Sequence, residues 1–139
     1  MSETSTMTAP PRMLNLLPPG RRTFWTSGQD GRLRLLRCRS TGRWIHPFWN
    51  VADDDPDVTA EPVSGKGEVF TFTVNHHAYN PAVLPPYVIA IVQLPEQDDL
   101  RIATNIVNCA PEDVKIGMPV RVVFEPHGEM CVPLFEPDR

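Results

Sequence analysis

Read as a bare string of residues, the chain is an all-β protein, a small five-stranded Greek-key barrel of the OB type. Three features lead there. Five short runs of β character follow residue 64, each closed by glycine, proline or polar turn residues. Sixteen prolines in 139 residues, about twice the average share, oppose long helices and favour turns and strand edges. One long connection, residues 75–86, interrupts otherwise short turns, as a Greek-key barrel requires.

The first barrel strand lies in Gly65–Val74, where Phe70, Phe72 and Val74 alternate with Val69, Thr71 and Thr73. A strict period of two puts the first three on one face and the others on the opposite face. Gly65 and Gly67 permit a sharp turn or a bulge at its start. Residues 87–94 are apolar on both faces, as in a central strand, and residues 95–99 form a polar turn. In residues 100–107, Leu100, Ile102, Thr104 and Ile106 share a face. Pro111–Val114 reads as a turn or one helical turn. Gly117 then turns the chain, and Pro119 opens a strand with Val120, Val122 and Phe124 inward. Residues 129–135 close the barrel, with Pro133 holding that strand to an edge.

Upstream the chain is irregular. Met1–Pro11 is polar, without an apolar signal core, and reads as a disordered tail; Pro18-Pro19-Gly20 is a turn or linker. Residues 23–27 form a short helical turn carrying Phe24 and Trp25, and 29–31 supply turn chemistry. Residues 32–38 alternate well enough for a strand, with Leu33 and Leu35 on one face, packed on the barrel or on a partner. Asp53-Asp54-Asp55-Pro56-Asp57 reads as a solvated acidic loop, since it lacks the glycine turn and distal glutamate of a calcium loop. The divisions are therefore a flexible tail over 1–20, a helix and ribbon segment over 21–62, and the barrel over 63–139.

Charge splits along the same line. Residues 1–52 hold eight arginines against Glu3 and Asp30, whereas residues 53–139 hold five basic and fifteen acidic residues. Such a split has two readings, an end that meets an anion or a solvated arginine face. No apolar run approaches the roughly 20 residues of a membrane helix. Three scattered cysteines, Cys38, Cys109 and Cys131, suit a reducing cytoplasm.

No phosphate-binding, nucleophile-elbow or metalloprotease motif is present. Ser64-Gly65-Lys66-Gly67 precedes a strand, so no helix presents amides to a phosphate. His76 and His77 are adjacent on a strand end and point to opposite faces. A metal there would need distant ligands such as His46 or His127, and a polar lining for a ligand groove is the better reading. No spacing supports an acid–base pair or a cysteine nucleophile, so no catalytic residue is assigned.

The order and spacing of Gly65–Val74, Pro86–Leu94 and Val114–Phe124 resemble the thiolase-associated zinc-ribbon/OB-fold family, catalogued as domain of unknown function number thirty-five. Phe24-Trp25, Gly31-Arg32-Leu33 and Leu36-Arg37-Cys38 fit that family's aromatic N-terminal helix and the start of its rubredoxin-like ribbon. The resemblance spans roughly residues 22–125. It implies an accessory subunit beside a thiolase-like or lipid-transfer-protein-like aldolase, in a hetero-oligomer supporting Claisen, acyl-transfer or retro-aldol chemistry on coenzyme A thioesters. One branch of the family serves aldolases that shorten steroid side chains.

The departure is at the ribbon. Tetrahedral zinc takes four ligands, which two Cys-x-x-Cys pairs supply in the family. Here Cys38 opens the first pair, Thr41 stands at its mate's position before Gly42, and residues 47–55 hold no cysteine. The family's zinc is therefore expected to be absent, leaving a degenerate ribbon with no tightly bound cofactor. Trp44, Ile45, Phe48 and Trp49 are expected to replace the metal with an apolar cluster.

On this reading, the partner-binding residues are Phe24, Trp25, Trp44 and Trp49, because aromatics concentrate at interface hot spots. Candidates for binding acyl-CoA are Arg32, Arg34, Arg37, Arg39 and Arg43, whose guanidinium forks suit phosphate oxygens, with His76, His77 and Tyr79. The alternative is a single-stranded nucleic-acid-binding OB fold. The acidic barrel half weighs against it, as does an exposed-aromatic set reduced largely to Tyr79 and Tyr87. An independent hydratase or esterase has no catalytic constellation to stand on.

Overall fold

The structure is a computed structural model, and it describes residues 20–49, 51, 54–78, 84–128 and 130–139, apart from the side chains of residues 20–22. The tail before Gly20, Asp53 of the acidic loop and Tyr79 lie outside the described residues. A short helix α1 (Gly20–Thr26) runs into a 3₁₀ turn over Ser27–Asp30. Among the described residues seven strands follow: β1 (Arg34–Cys38), β2 (Val58–Pro62), β3 (Lys66–Asn75), β4 (Tyr87–Gln93), β5 (Arg101–Ile106), β6 (Pro119–His127) and β7 (Met130–Pro137). Among the described residues no helix is long and apolar enough to cross a membrane.

Strands β1 and β2 make an antiparallel ribbon, and the last five close into a barrel ordered β3-β4-β5-β7-β6. The hairpins β3–β4 and β4–β5 are antiparallel. The Greek-key step is the parallel contact of β5 with β7 at Ile106 and Phe135. Closure comes where Lys66, Gly67 and Glu68 meet Arg121, Val120 and Pro119. This is the all-β OB barrel expected from the strand pattern, with a short helix before it. Strand β2 was not anticipated: it follows an acidic loop and includes Pro62, so its composition gives little β signal, and its pairing with β1 forms it.

Three expectations within the barrel need correction. The register of β3 against β4 shifts between Val69 and Thr71, so a bulge at Phe70 breaks the period of two. Val69 is fully buried and Phe72 and Val74 pack against the core, while Phe70 is 47% exposed beneath the Arg101 guanidinium. Strand β4 is central in pairing but buried on one face only: Val88, Ala90 and Val92 point inward and Ile89 is exposed. Strand β7 is no edge, because it lies between β5 and β6. Pro133 is tolerated because β5 pairs with β7 only at Phe135, and the Pro133 carbonyl accepts a bond from the Thr104 hydroxyl at 3.2 Å.

Helix, ribbon and barrel share one core. Phe24 from α1, Leu33 and Leu35 from the β1 segment, and Trp44 from the loop after β1 pack with Val69, Val92, Ile102, Val120 and Phe135. Burial of each large side chain contributes about 1.5–3 kcal/mol, so these four side chains fasten the segment before the barrel to the barrel core. Leu36, on the other face of β1, joins Ile45 and Val58 in a second cluster inside the ribbon. Strand β1 thus buries both faces, toward the barrel and toward its own loop.

Candidate functional site

The ribbon's first knuckle keeps a tight turn. Gly42 donates to the Cys38 carbonyl at 2.9 Å and Cys38 donates to the Arg43 carbonyl at 2.8 Å, with Gly42 at φ +76°, where a side chain is strained. Asp57, just before β2, closes on this turn. Its carboxylate accepts from the Ser40 amide (3.0 Å), the Ser40 hydroxyl (2.7 Å) and the Cys38 thiol (3.1 Å). Its carbonyl accepts from the Arg39 amide at 2.7 Å. Bonds from Ser40 and then Cys38 hold the Asp57 carboxyl below its ordinary range. Bonds from Ser40 and Thr41 lower the Cys38 thiol, with Asp57 opposing. Among the described residues no three His, Cys, Asp or Glu side chains converge to hold a metal.

The loop after the knuckle is seated by the β4–β5 turn. The Gln97 amide accepts from the Trp44 N–H at 2.8 Å and donates to the Trp44 carbonyl at 3.2 Å, pairing with it as a neighbouring strand would. The same amide nitrogen donates to Asp99 at 2.7 Å, and Arg43 pairs with Asp99 at 2.7 Å. The Gln97 bond and then Arg43 hold the Asp99 carboxyl low. Trp44 is 6% exposed, with the Arg37 guanidinium 4.7 Å from its ring centroid.

Beyond Trp44 the chain turns through His46-Pro47-Phe48-Trp49, with the Trp49 amide bonded to the His46 carbonyl and the Phe48 amide to His46 Nδ1. This turn comes up beside α1 and builds a row of rings from the core to the surface. Phe24 meets Trp25 edge-on at 4.9 Å and Phe48 at 6.2 Å; Trp25 lies 6.2 Å from Phe48; His46 lies 5.5 Å from Phe48 and 6.2 Å from Trp49. Phe48 and Trp49 are exposed by 37% and 48%. The aromatic residues named from sequence therefore divide. Phe24 and Trp44 are spent on the core, whereas Trp25 and Trp49 reach the surface together with His46 and Phe48. The expected apolar replacement for zinc is also corrected: only Ile45 lies in the ribbon's own cluster, and Trp44 packs toward the barrel.

The arginines do not form one patch. Arg34 makes a two-pronged pair with Asp30 at 2.7 and 2.8 Å, which lowers the Asp30 carboxyl to about 2. Arg37 donates to the Gly42 carbonyl at 2.8 Å and lies 3.4 Å from Glu61. Arg43 is tied to Asp99. Among the described residues only Arg32 and Arg39 of the five make no side-chain hydrogen bond or ion pair. They flank β1, seven positions or roughly 23 Å of extended chain apart. Arg32 lines a cleft of about 420 Å³ between ribbon and barrel, with Pro62, Ser64, Gly65 and Val122.

His76 and His77 are exposed at the end of β3, where His76 borders a smaller hollow with Val74, Pro86, Pro111 and Glu112. The length of β4, about 20 Å, separates them from the turn that seats the ribbon. His127 pairs with Glu125 at 2.7 Å at the β6–β7 end, and burial raises the Cys109 thiol. No nucleophile, base and orienting group come together among the described residues. Asp57, Gln97 and Phe48 are the residues sequence reading left out of the site. Only the register of β2 and the seating of the turn bring them there.

A family model describing the C-terminal OB-fold domain of ChsH2 matches residues 60–125. A probable enoyl-CoA hydratase alpha subunit from Thermomonospora curvata is 34% identical over 118 residues, covering 82% of this chain but 36% of its own length. This chain therefore spans about a third of that relative. A DUF35 domain-containing scaffold protein from Methanocaldococcus jannaschii is 51% identical over 93 residues, 64% of each protein. Among solved structures, a chain of the Ltp2-ChsH2(DUF35) aldolase aligns with a TM-score of 0.75 at 30% identity, covering 89% of this chain and 98% of that one. With its closed five-stranded barrel and this agreement along nearly its whole described length, the chain belongs to the DUF35 OB-fold family.

Proposed function

We propose that the chain is a non-catalytic accessory subunit of an acyl-CoA-acting complex, seated against a thiolase-like subunit that holds the catalytic residues. The observation that carries this reading is the likeness, over 98% of its chain, to a protein solved as part of an aldolase. The surface row Trp25, His46, Phe48 and Trp49 is the partner anchor, because aromatic side chains that gain burial on docking dominate interface energies. Of the five candidate arginines, Arg32, beside the ribbon–barrel cleft, and Arg39 are the two that make no side-chain pair among the described residues, and they are the ones offered to the phosphates of coenzyme A. His76 and His77, exposed at the end of β3, and Tyr79 are kept as further candidates for contacting the acyl-CoA. The reaction class is Claisen, acyl-transfer or retro-aldol chemistry, in a reducing, cytoplasmic setting that suits three unpaired cysteines.

The test is co-expression of the full chain with any thiolase-like protein encoded near it, followed by size-exclusion chromatography and titration. A stable complex is expected. The double variant Phe48→Ala/Trp49→Ala is expected to weaken it by at least about tenfold, with the free chain still folded but its melting temperature lowered by the lost ring contacts to Phe24, Trp25 and His46. Failure to associate with any such neighbour, or native affinity in the double variant, counts against the proposal. Salt-sensitive micromolar binding of single-stranded oligonucleotides would favour the nucleic-acid reading instead.

A further inference from the structure

The family's zinc ribbon depends on four ligands at about 2.0–2.3 Å from one ion, and among the described residues the side chains do not fit that requirement. Cys38 is the one thiol at the knuckle, and Thr41 stands where its mate belongs. The other acidic group there is already engaged: both Asp57 oxygens accept hydrogen bonds, from the Ser40 amide and hydroxyl and from the Cys38 thiol itself. Cys38 Sγ and Asp57 Oδ2 are 3.1 Å apart. A sulfur and an oxygen on one tetrahedral zinc would stand about 3.6 Å apart, so this spacing is that of a thiol donating a hydrogen bond to a carboxylate.

We infer that this ribbon is closed without a metal, and that the Asp57 carboxylate does the cross-linking that zinc does elsewhere in the family. The geometry supports the role at three levels. The knuckle turn persists through its own backbone bonds. Asp57 joins it through three side-chain bonds and one backbone bond, linking two segments separated by nineteen positions at the Cys38–Asp57 contact. Asp57 is in turn held by Asp55, whose carboxylate accepts from the Asp57 amide at 2.8 Å and whose carbonyl accepts from Val58 at 3.0 Å. Beneath this polar closure, Leu36, Ile45 and Val58 fill the ribbon, with Cys38 and Val51 against them. In this arrangement Cys38 acts as a hydrogen-bond donor, a role a serine can fill.

The experiment uses the full, tag-free chain produced in zinc-supplemented medium, with metal content by mass spectrometry, thermal melts with and without chelator, and amide hydrogen exchange. Zinc below about a tenth of an equivalent and a chelator-independent melt are expected, since a structural zinc would couple to folding. Cys38→Ser is expected to keep the ribbon folded, whereas loss of a structural thiolate would unfold it. Asp57→Ala is expected to speed exchange at the Ser40 amide, whose acceptor is the carboxylate, by about tenfold or more, and to a lesser degree at the Arg39 amide, whose acceptor is the retained Asp57 carbonyl. Should Asp57→Ala fail to fold, Asp57→Asn, which keeps one acceptor oxygen, is expected to show a smaller increase at the same amides. Stoichiometric zinc with a chelator-sensitive melt overturns the inference. So does unfolding of Cys38→Ser, or native exchange at Ser40 in the folded Asp57 variants.

Discussion

Replacing Gln97 by alanine tests how the ribbon is fastened to the barrel. The Gln97 amide satisfies both backbone groups of Trp44, at 2.8 and 3.2 Å, beneath a residue that is 6% exposed. Alanine leaves that N–H and that carbonyl without a partner. A typical net hydrogen bond contributes about 1 kcal/mol, but stranding a buried group costs about 1–3 kcal/mol. The pair therefore sets an expected loss of about 2–3 kcal/mol. For a domain of this size, at about 3 °C per kcal/mol, the melting temperature should fall by about 6–9 °C. Circular dichroism melts read the stability, and tryptophan emission, to which Trp44 contributes with Trp25 and Trp49, should shift to the red. Gln97→Glu keeps an acceptor for the Trp44 N–H but turns a negative charge toward the Trp44 carbonyl and Asp99, so it should be at least as damaging. A drop below about 2 °C for Gln97→Ala, or native stability for Gln97→Glu, would refute the claim that this amide fastens the ribbon.

Three further outcomes follow from named contacts. A methyl group at Gly28 would lie 2.2 Å from the Phe124 ring, so Gly28→Ala should cost about 1–3 kcal/mol in urea unfolding; native stability would mean that α1 and its 3₁₀ turn shift freely. The Asp30 carboxyl is depressed to about 2 by Arg34. Its contribution is therefore present above the ordinary carboxylate range and is lost as pH falls through about 2. Asp30→Asn should flatten the acid limb of the melting-temperature profile, modestly and less in high salt because the pair is exposed; superimposable profiles would contradict this. Finally, the bulge makes Val69→Ala the costlier change in β3, at about 2 kcal/mol. Phe70→Ala should lose under about 1 kcal/mol, largely the contact with Arg101; the reverse order in denaturant melts would restore an unbroken period of two.

The site was partly legible. Cys38, Thr41 and Gly42 announce a knuckle without a partner, because ligand spacing is local in sequence. The density of Phe24, Trp25, Trp44, Phe48 and Trp49 likewise marks this segment as the place where aromatic surface is invested. Which rings face solvent is set by the neighbours each one meets. Phe24 and Trp44 turn inward against barrel strands, while Trp25 and Phe48 meet only because α1 lies along the turn over residues 46–49. Asp57 looked like one more solvated acid because its partners are seventeen to nineteen positions away. Its role depends on the β1–β2 register.

The barrel's existence and most of its strands were readable from alternation, glycine and proline, since these act through backbone sterics and a period of two within a few residues. The split of charge between the two halves is a property of composition alone. Folding decided where the alternation breaks at Phe70, why Pro133 sits inside a closed sheet, and how the ribbon shares the barrel's core. Among the described residues it also decided which of the five candidate arginines are engaged in internal pairs and which two, Arg32 and Arg39, are not. Each of these is a relation between segments distant in the chain, and so is the knuckle with which the ribbon begins. A short pattern records that a cysteine has lost its mate, but only packing shows a carboxylate from the far side of the ribbon closing the gap.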